Sequence, residues 1–218
     1  RELSGGQKQR VALARVLVIE PEILLLDEPL SALDKKMREE MKFWIKEIHK
    51  SVGITTIYVT HDQSEALTMS DRITVMNAGR VLQIGSPVEI YEHPNSRFIA
   101  EFIGESNLLA GRMGESRIEI GGTPVPISNA QGASPGDEVA LLLRPEQIRL
   151  ESLSAEEVPK LSGRVLEEVY QGSIRRYLVE AKGQRITVEV PNRPDLAQLP
   201  TGAEVSLYWH PESSVVLR

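Results

Sequence analysis

Cysteine is absent from all 218 residues, and with it go disulfides, thiolate metal sites and thiol catalysis. That usage fits a reducing compartment. No apolar run approaches the roughly 20 residues needed to cross a bilayer. Nothing near the start resembles a signal peptide, so any work at a membrane is expected to run through a partner. A basic block is missing too. The formal net charge is −6, which argues against nucleic acid as the main partner. Arg1 stands where a Met would, so the chain reads as a piece of something longer. The remaining composition, 41% hydrophobic and 26% charged, suits a globular protein with one large domain or two small ones.

Val11, Ala14, Leu17 and Val18 recur at helical spacing and predict a helix over 7–19, ended by Glu20-Pro21. Ile23-Leu24-Leu25-Leu26 is short and apolar on both faces, as in a strand buried in a parallel sheet. Met37, Met41, Trp44, Ile45 and Ile48 form an amphipathic stripe over 35–50. After Gly53, "TTIYVT" predicts a second buried strand ending at His61-Asp62. A short helix from Gln63 and a hairpin turning at Asn77-Ala78-Gly79 come next, then a helix opened by Ser86-Pro87. Strands alternating with helices predict an α/β domain over 1–104.

From 105 to 218 helical stripes give way to Gly, Pro and short alternating runs, which predict an all-β domain. "GDEVALLLRPE" from Gly136 and "GAEVSLYWHPE" from Gly202 share one register, and "LAGRM" from Leu109 and "LSGRV" from Leu161 match ahead of them. Two pairings in the same order predict a duplicated β unit. Val139, Leu141 and Leu143 should meet Val205, Leu207 and Trp209 across one core.

Three stretches carry residues suited to chemistry. "LSGGQ" at Leu3–Gln7 reads either as a glycine-containing helix cap or as a phosphate cradle. The cradle would use the Ser4 hydroxyl, the amides of Gly5 and Gly6 and the dipole of the following helix. "ILLLDE" ends a core strand in two acids, which is costly unless they serve something. Asp27 suits Mg²⁺ held through water and Glu28 suits polarising an attacking water, while the plain alternative is a charged loop. Ser31 and Asp34 in "SALD" read equally as caps for the helix from Lys35. His61 ends the second core strand, where ligands bind in open α/β sheets.

In this order the motifs resemble the ATP-binding cassette family. "LSGGQ" is similar to the family signature, "ILLLDE" to the Walker B strand with its glutamate, "SALD" to the D-loop and "VTHD" to the switch-histidine loop. "EHPNSRFIAEFIGESNLL" resembles the link into the transport-associated OB-type (TOBE) domain of importer ATPases, and "FIGESNLL" looks most like polyamine and ferric-iron importers. The resemblance implies a partial P-loop NTPase domain of the RecA-like α/β type, followed by an all-β OB-like domain. It implies an ATP-hydrolysing importer subunit that uses ATP and Mg²⁺ at the cytoplasmic face of the inner or plasma membrane. The implied partners are a second copy of the subunit, transmembrane permease subunits and, indirectly, a solute-binding protein, with no nucleic acid. Implied roles are catalytic for Glu28 and His61 and metal-holding for Asp27. Ser4, Gly5, Gly6 and Gln7 would clamp the γ-phosphate of ATP on the partner copy, with Ser31 and Asp34 in the D-loop.

The departure from the family pattern is a phosphate loop: no G-x-x-x-x-G-K-[ST] occurs, and no glutamine loop precedes the signature. The chain alone is therefore expected to hydrolyse no ATP. Ile23–Leu26 and Thr55–Thr60 are expected to expose apolar faces and edges. A chromosome-maintenance or DNA-repair ATPase shares the signature but needs long coiled coils, and no sustained heptads appear. The other alternative is a non-enzymatic relic whose β domain senses a ligand or binds an inhibitor.

Overall fold

The computed structural model describes residues 3–150, 160–194 and 198–218. Two compact units divide between Val88 and Glu89, ahead of the boundary expected near Glu105. The difference comes from two short helices, α4 (Pro87–Glu92) and α5 (Arg97–Phe102). Their helical texture matches the first unit, but their burial belongs to the second. Ala100 clusters with Leu142, Val215 and Leu217. The buried Arg144 guanidinium donates to the carbonyls of Tyr91, Ala100 and Glu105 at 2.8, 3.1 and 3.1 Å.

The first unit runs α1 (Gly5–Leu17), β1 (Ile23–Asp27), α2 (Lys35–Val52), β2 (Thr55–Val59), α3 (Gln63–Met69), β3 (Ile73–Asn77) and β4 (Arg80–Gly85). β1 and β2 pair in parallel with α2 as the crossover, Ile23 opposite Thr55 and Asp27 opposite Val59. Because the register is flush, the segments leaving both strands start side by side. Gly53 closes α2 at φ 68°, its N–H bonded to His49 O. Only a residue at ease in the left-handed region ends a helix this way without strain. β3 and β4 form the expected hairpin. Ala78 and Gly79 both have positive φ, as a type I′ turn demands.

Leu13, Leu24, Leu30, Leu33, Met41 and Ile45 form the core of this unit, with Met37, Trp44 and Ile48 packed against it. The α2 stripe is therefore the one read from the sequence. Full burial of a side chain such as Leu30 contributes about 1.5–3 kcal/mol. The inward face of α1 differs from expectation. Gly6 and Leu13 are buried, while Val11 and Val18 are 49% and 79% exposed. Gly6 lies against Met37 of α2, and Leu17 of the expected stripe still packs on the core. β1 and β2 are not buried on both faces either. Leu24 faces the core, but Ile23, Leu25, Ile57 and Val59 are each more than half exposed. These four share one face by strand alternation, which is the exposed apolar face expected above.

The second unit is built from β5 (Asn107–Met113), β6 (Arg117–Ile120), β7 (Thr123–Pro126), β8 (Glu138–Leu143), β9 (Lys160–Tyr170), β10 (Ile174–Ala181), β11 (Gln184–Pro191), β12 (Glu204–Tyr208) and β13 (Ser214–Leu217). The sequence repeat is a topological repeat. One sheet contains the order β8-β5-β6-β7 and the other β12-β9-β10-β11. Each "PE" after β8 and β12 starts a 3-10 turn, Pro145–Gln147 and Pro211–Ser213. The repeats then exchange their last segments. β13 pairs with β8, and Arg149 bridges to Tyr208 of β12 with N–H···O bonds of 2.6 and 2.8 Å. The sheet that gains β13 reaches the five strands that an OB-like unit uses, while the other keeps four strands and the single Arg149 bridge.

One core serves both sheets. Val139, Leu141, Leu143, Leu207 and Trp209 are buried in it and Val205 packs against it, as expected. Asn107 stitches the sheets by donating to Leu143 O and Thr187 O and accepting from Thr187 N. No helix among the described residues is long and apolar enough to cross a membrane.

Candidate active site

Ser4 is the N-cap of α1. Its Oγ accepts from Gln7 N at 3.3 Å, and Gln7 Oε1 accepts from Ser4 N at 2.9 Å. This capping box satisfies the Gln7 amide and leaves the Ser4 hydroxyl proton available for another acceptor. A cap and a phosphate contact are therefore compatible on one serine. Gly5 and Gly6 have packing reasons as well: a Cβ on Gly5 would meet Leu33 Cδ2 at 3.1 Å, and one on Gly6 would meet Met37 Sδ at 2.5 Å.

At the end of β1 the chain turns sharply. Glu28 adopts φ 43°, a left-handed conformation that costs a non-glycine residue about 1–3 kcal/mol. Three bonds hold it there. Its N–H donates to Val59 O at 2.9 Å, and its carbonyl accepts from Ser31 N at 3.2 Å and Ser31 Oγ at 2.9 Å. Ser31 thus shapes the turn at Glu28 and caps no helix. Asp34 does cap α2, accepting from Met37 N at 2.9 Å. Leu30 and Leu33, between them, anchor the loop in the core.

The two strand ends meet through their side chains: His61 Nδ1 lies 3.1 Å from Glu28 Oε1. The side chains are 72% and 47% exposed, so water screens the pair and it adds little stability. Its value lies in orientation, because a carboxylate on Nδ1–H fixes the imidazole tautomer and leaves Nε2 for a second partner. Asp27 is exposed beside them.

Beneath His61 lies a polar network that sequence reasoning missed. Glu65 on α3 is only 3% exposed. Its Oε2 accepts from Tyr58 OH at 2.9 Å and from Thr60 Oγ1 at 2.8 Å. Arg38 on α2 sits 3.9 Å from Glu65 Oε1 and 3.4 Å from Asp62 Oδ2, and donates to Leu33 O at 3.0 Å. Burial, reinforced by the hydrogen bond to Glu65 and the charges of Glu65 and Asp62, pushes the Tyr58 hydroxyl far above its ordinary range. The sequence did hold a signal, since Asp62-Gln63-Ser64-Glu65 has capping-box spacing. Half of the box forms, with Glu65 N donating to Asp62 Oδ1 at 3.1 Å. The other half does not, because Thr60 Oγ1 takes the Asp62 amide at 2.9 Å and frees the Glu65 carboxylate for the interior.

Among the described residues no group of three or more His, Asp or Glu gathers to cage a metal. The exposed carboxylate of Asp27 suits Mg²⁺, which keeps several waters and is usually held by one or two carboxylates plus substrate phosphates.

The family described as ABC transporter matches residues 1–31, and the TOBE domain family matches residues 141–217. The chain is 48% identical over its whole length to the spermidine/putrescine import ATP-binding protein PotA of Thermobifida fusca, of which it covers 59%. By these matches the chain is similar to members of the ABC transporter family. A second PotA, from Nitratidesulfovibrio vulgaris, is 44% identical over the whole chain, which covers 62% of it. PotA 2 of Pseudomonas aeruginosa is 50% identical over 88% of the chain, at 55% of its own length. The chain thus spans little more than half the length of the curated relatives it matches. The TOBE match, residues 141–217, falls within the pair of β repeats described above and runs from β8 to the last strand.

Proposed function

We propose that this chain serves in the ATP-hydrolysing subunit of an importer for a polyamine, the solute class for which its relatives are named. The observation that carries the reading is the 3.1 Å contact between His61 Nδ1 and Glu28 Oε1 at the flush ends of two parallel strands. Glu28, turned out of β1 and half exposed, accepts a hydrogen bond from the attacking water and takes up its proton as the phosphoryl bond breaks. His61 gives its Nδ1–H to Glu28 and so steadies that carboxylate beside the attacking water. Asp27 would hold Mg²⁺ through water, and the ion supplies charge neutralisation on the phosphates.

Ser4, Gly5, Gly6 and Gln7 act on ATP held by a second copy of the subunit, through the Ser4 hydroxyl and the positive end of α1. Ser31 and Asp34 hold the loop between the two sites in shape, one through Glu28 O and the other by capping α2. Permease subunits in the membrane provide passage and a solute-binding protein delivers cargo to them, which places the ATPase at the cytoplasmic face.

The deciding experiment is Glu28→Gln in the full-length protein. Steady-state hydrolysis should fall by roughly 10²–10⁴ while ATP affinity is retained, since a general base contributes about that much to rate and nothing to binding. Turnover at the parent rate would exclude Glu28 as the base.

A further inference from the structure

One hydroxyl links the two residues that flank His61. Thr60 Oγ1 accepts from Asp62 N–H at 2.9 Å and donates to Glu65 Oε2 at 2.8 Å, so it ties together the residues on both sides of His61. A threonine hydroxyl has a single hydrogen. Pointing that hydrogen at a carboxylate, which only accepts, turns a lone pair toward the Asp62 amide. Glu65 is well placed to enforce this. Its carboxylate is buried, takes a second hydroxyl from Tyr58 and faces Arg38 at 3.9 Å. Arg38 also reaches Asp62 Oδ2 at 3.4 Å, and Lys42 on the same helix donates to Ser64 at 3.0 Å, so α3 is fastened to both β2 and α2.

A buried charge is costly to strand and tolerable when paired and hydrogen-bonded. Capping α3 does not require one, because Asp62 already takes the Glu65 amide at 3.1 Å. His61, by contrast, has a side chain 72% exposed, so little packing holds its ring toward Glu28.

We infer that Glu65 is a positioning residue, which acts through the Thr60 hydroxyl to hold the turn that presents His61 to Glu28. This deepens the proposed function and rests on it for its consequence in catalysis. The path is specific. Thr60→Val keeps the shape of the side chain and removes the link at both ends. Glu65→Gln keeps the volume but leaves one acceptor oxygen for two sides: aimed at Thr60 it turns an amide donor on the donor-only Arg38, and aimed at Arg38 it turns that donor on the Thr60 hydroxyl. Tyr58→Phe removes the other hydroxyl on Glu65 and touches no bond to the turn.

The test combines ATPase kinetics of the full-length protein with nitrogen-15 NMR of the His61 ring and hydrogen exchange of the Asp62 amide. Thr60→Val and Glu65→Gln should each lower kcat about tenfold, the scale of a small misplacement of a catalytic group. KM for ATP should stay within about twofold, as for an interaction expressed in the transition state. Both variants should shift or broaden the His61 ring signals and speed Asp62 exchange. Thr60→Ser should restore rate, ring signals and exchange, and Tyr58→Phe should leave the His61 signals in place. The inference is overturned if His61 and Asp62 are unchanged in both variants, if Thr60→Ser fails as Thr60→Val does, or if Tyr58→Phe disturbs His61 equally. Should Glu65→Gln not fold, the Thr60 pair tests the same path. The ring and amide signals are read without turnover, so a protein that never hydrolyses ATP would sink the proposed function and still report on this anchoring.

Discussion

Gly6 lies so close to Met37 that a β-carbon built on the glycine would stand 2.5 Å from the Met37 sulfur. Gly6→Ala would ordinarily favour a helix by about 0.5–1 kcal/mol. Here crowding should outweigh that gain, since overpacking costs about 1–3 kcal/mol. A lowered unfolding midpoint is expected, with Met37→Ala in the Gly6→Ala background regaining part of it. A double-mutant cycle by chemical denaturation measures the coupling. Additive effects would mean the contact is not what sets the spacing of α1 and α2.

Gly111 and Gly163 occupy equivalent places in the two β repeats. A Cβ on either would come 2.8 Å from a neighbouring carbonyl oxygen, Glu119 O or Glu180 O, with Ile118 or Val179 at 2.7 Å. A carbonyl within a ladder cannot rotate aside as a methionine can. Gly111→Ala and Gly163→Ala should therefore each destabilise the second unit by more than Gly6→Ala destabilises the first. Thermal unfolding of the three variants, followed by near-ultraviolet signals of Trp44 and Trp209, ranks them.

Tyr91 supplies a pH test of the second unit. Burial, helped by the hydrogen bond to Glu146 at 2.7 Å and that carboxylate's charge, pushes its hydroxyl up to about 12, against an opposing effect of Arg144. The folded state thus holds this proton more tightly than the unfolded chain does. The stabilisation is fully present below pH 10, the ordinary value, and is lost as pH rises toward about 12. The gap in unfolding midpoint between the parent and Tyr91→Phe should be constant below pH 10 and close above it. A gap that widens with alkali would reverse the sign.

The chain of 218 residues by itself should release no appreciable phosphate from ATP. Phosphoryl transfer is catalysed mainly by positioning and charge, and the G-x-x-x-x-G-K-[ST] loop that supplies much of both is not in this sequence. Phosphate release is measured with and without a full-length subunit disabled at its own glutamate. Robust activity from the chain alone would show that the site has been drawn wrongly.

Much of the candidate site was legible in the sequence because its parts are local. A capping serine three residues before Gln7, two acids ending an apolar run and a histidine ending another need only a few neighbouring residues to be recognised. The hairpin turn at Ala78-Gly79 and the α2 stripe are local in the same sense. The β repeat was legible because duplication leaves its mark residue by residue, and both copies kept their strand order.

Tertiary structure decided the rest, where distant groups compete for the same burial. The apolar spacing of α1 pointed to Val11 and Val18, but in the fold Gly6, against Met37, and Leu13 face inward. Helices α4 and α5 look like a continuation of the first unit. Arg144, more than forty residues on in the chain, claims their carbonyls for the second. Glu65 reads as an ordinary cap partner until Thr60 takes the amide it was spaced to reach. The exchange of final segments between the repeats likewise joins partners far apart in the sequence, β13 with β8 and Arg149 with Tyr208. Local spacing encodes hydrogen bonds within one turn of helix or strand. Burial and the pairing of charges are settled among groups that sequence distance does not relate, and only folding brings them together.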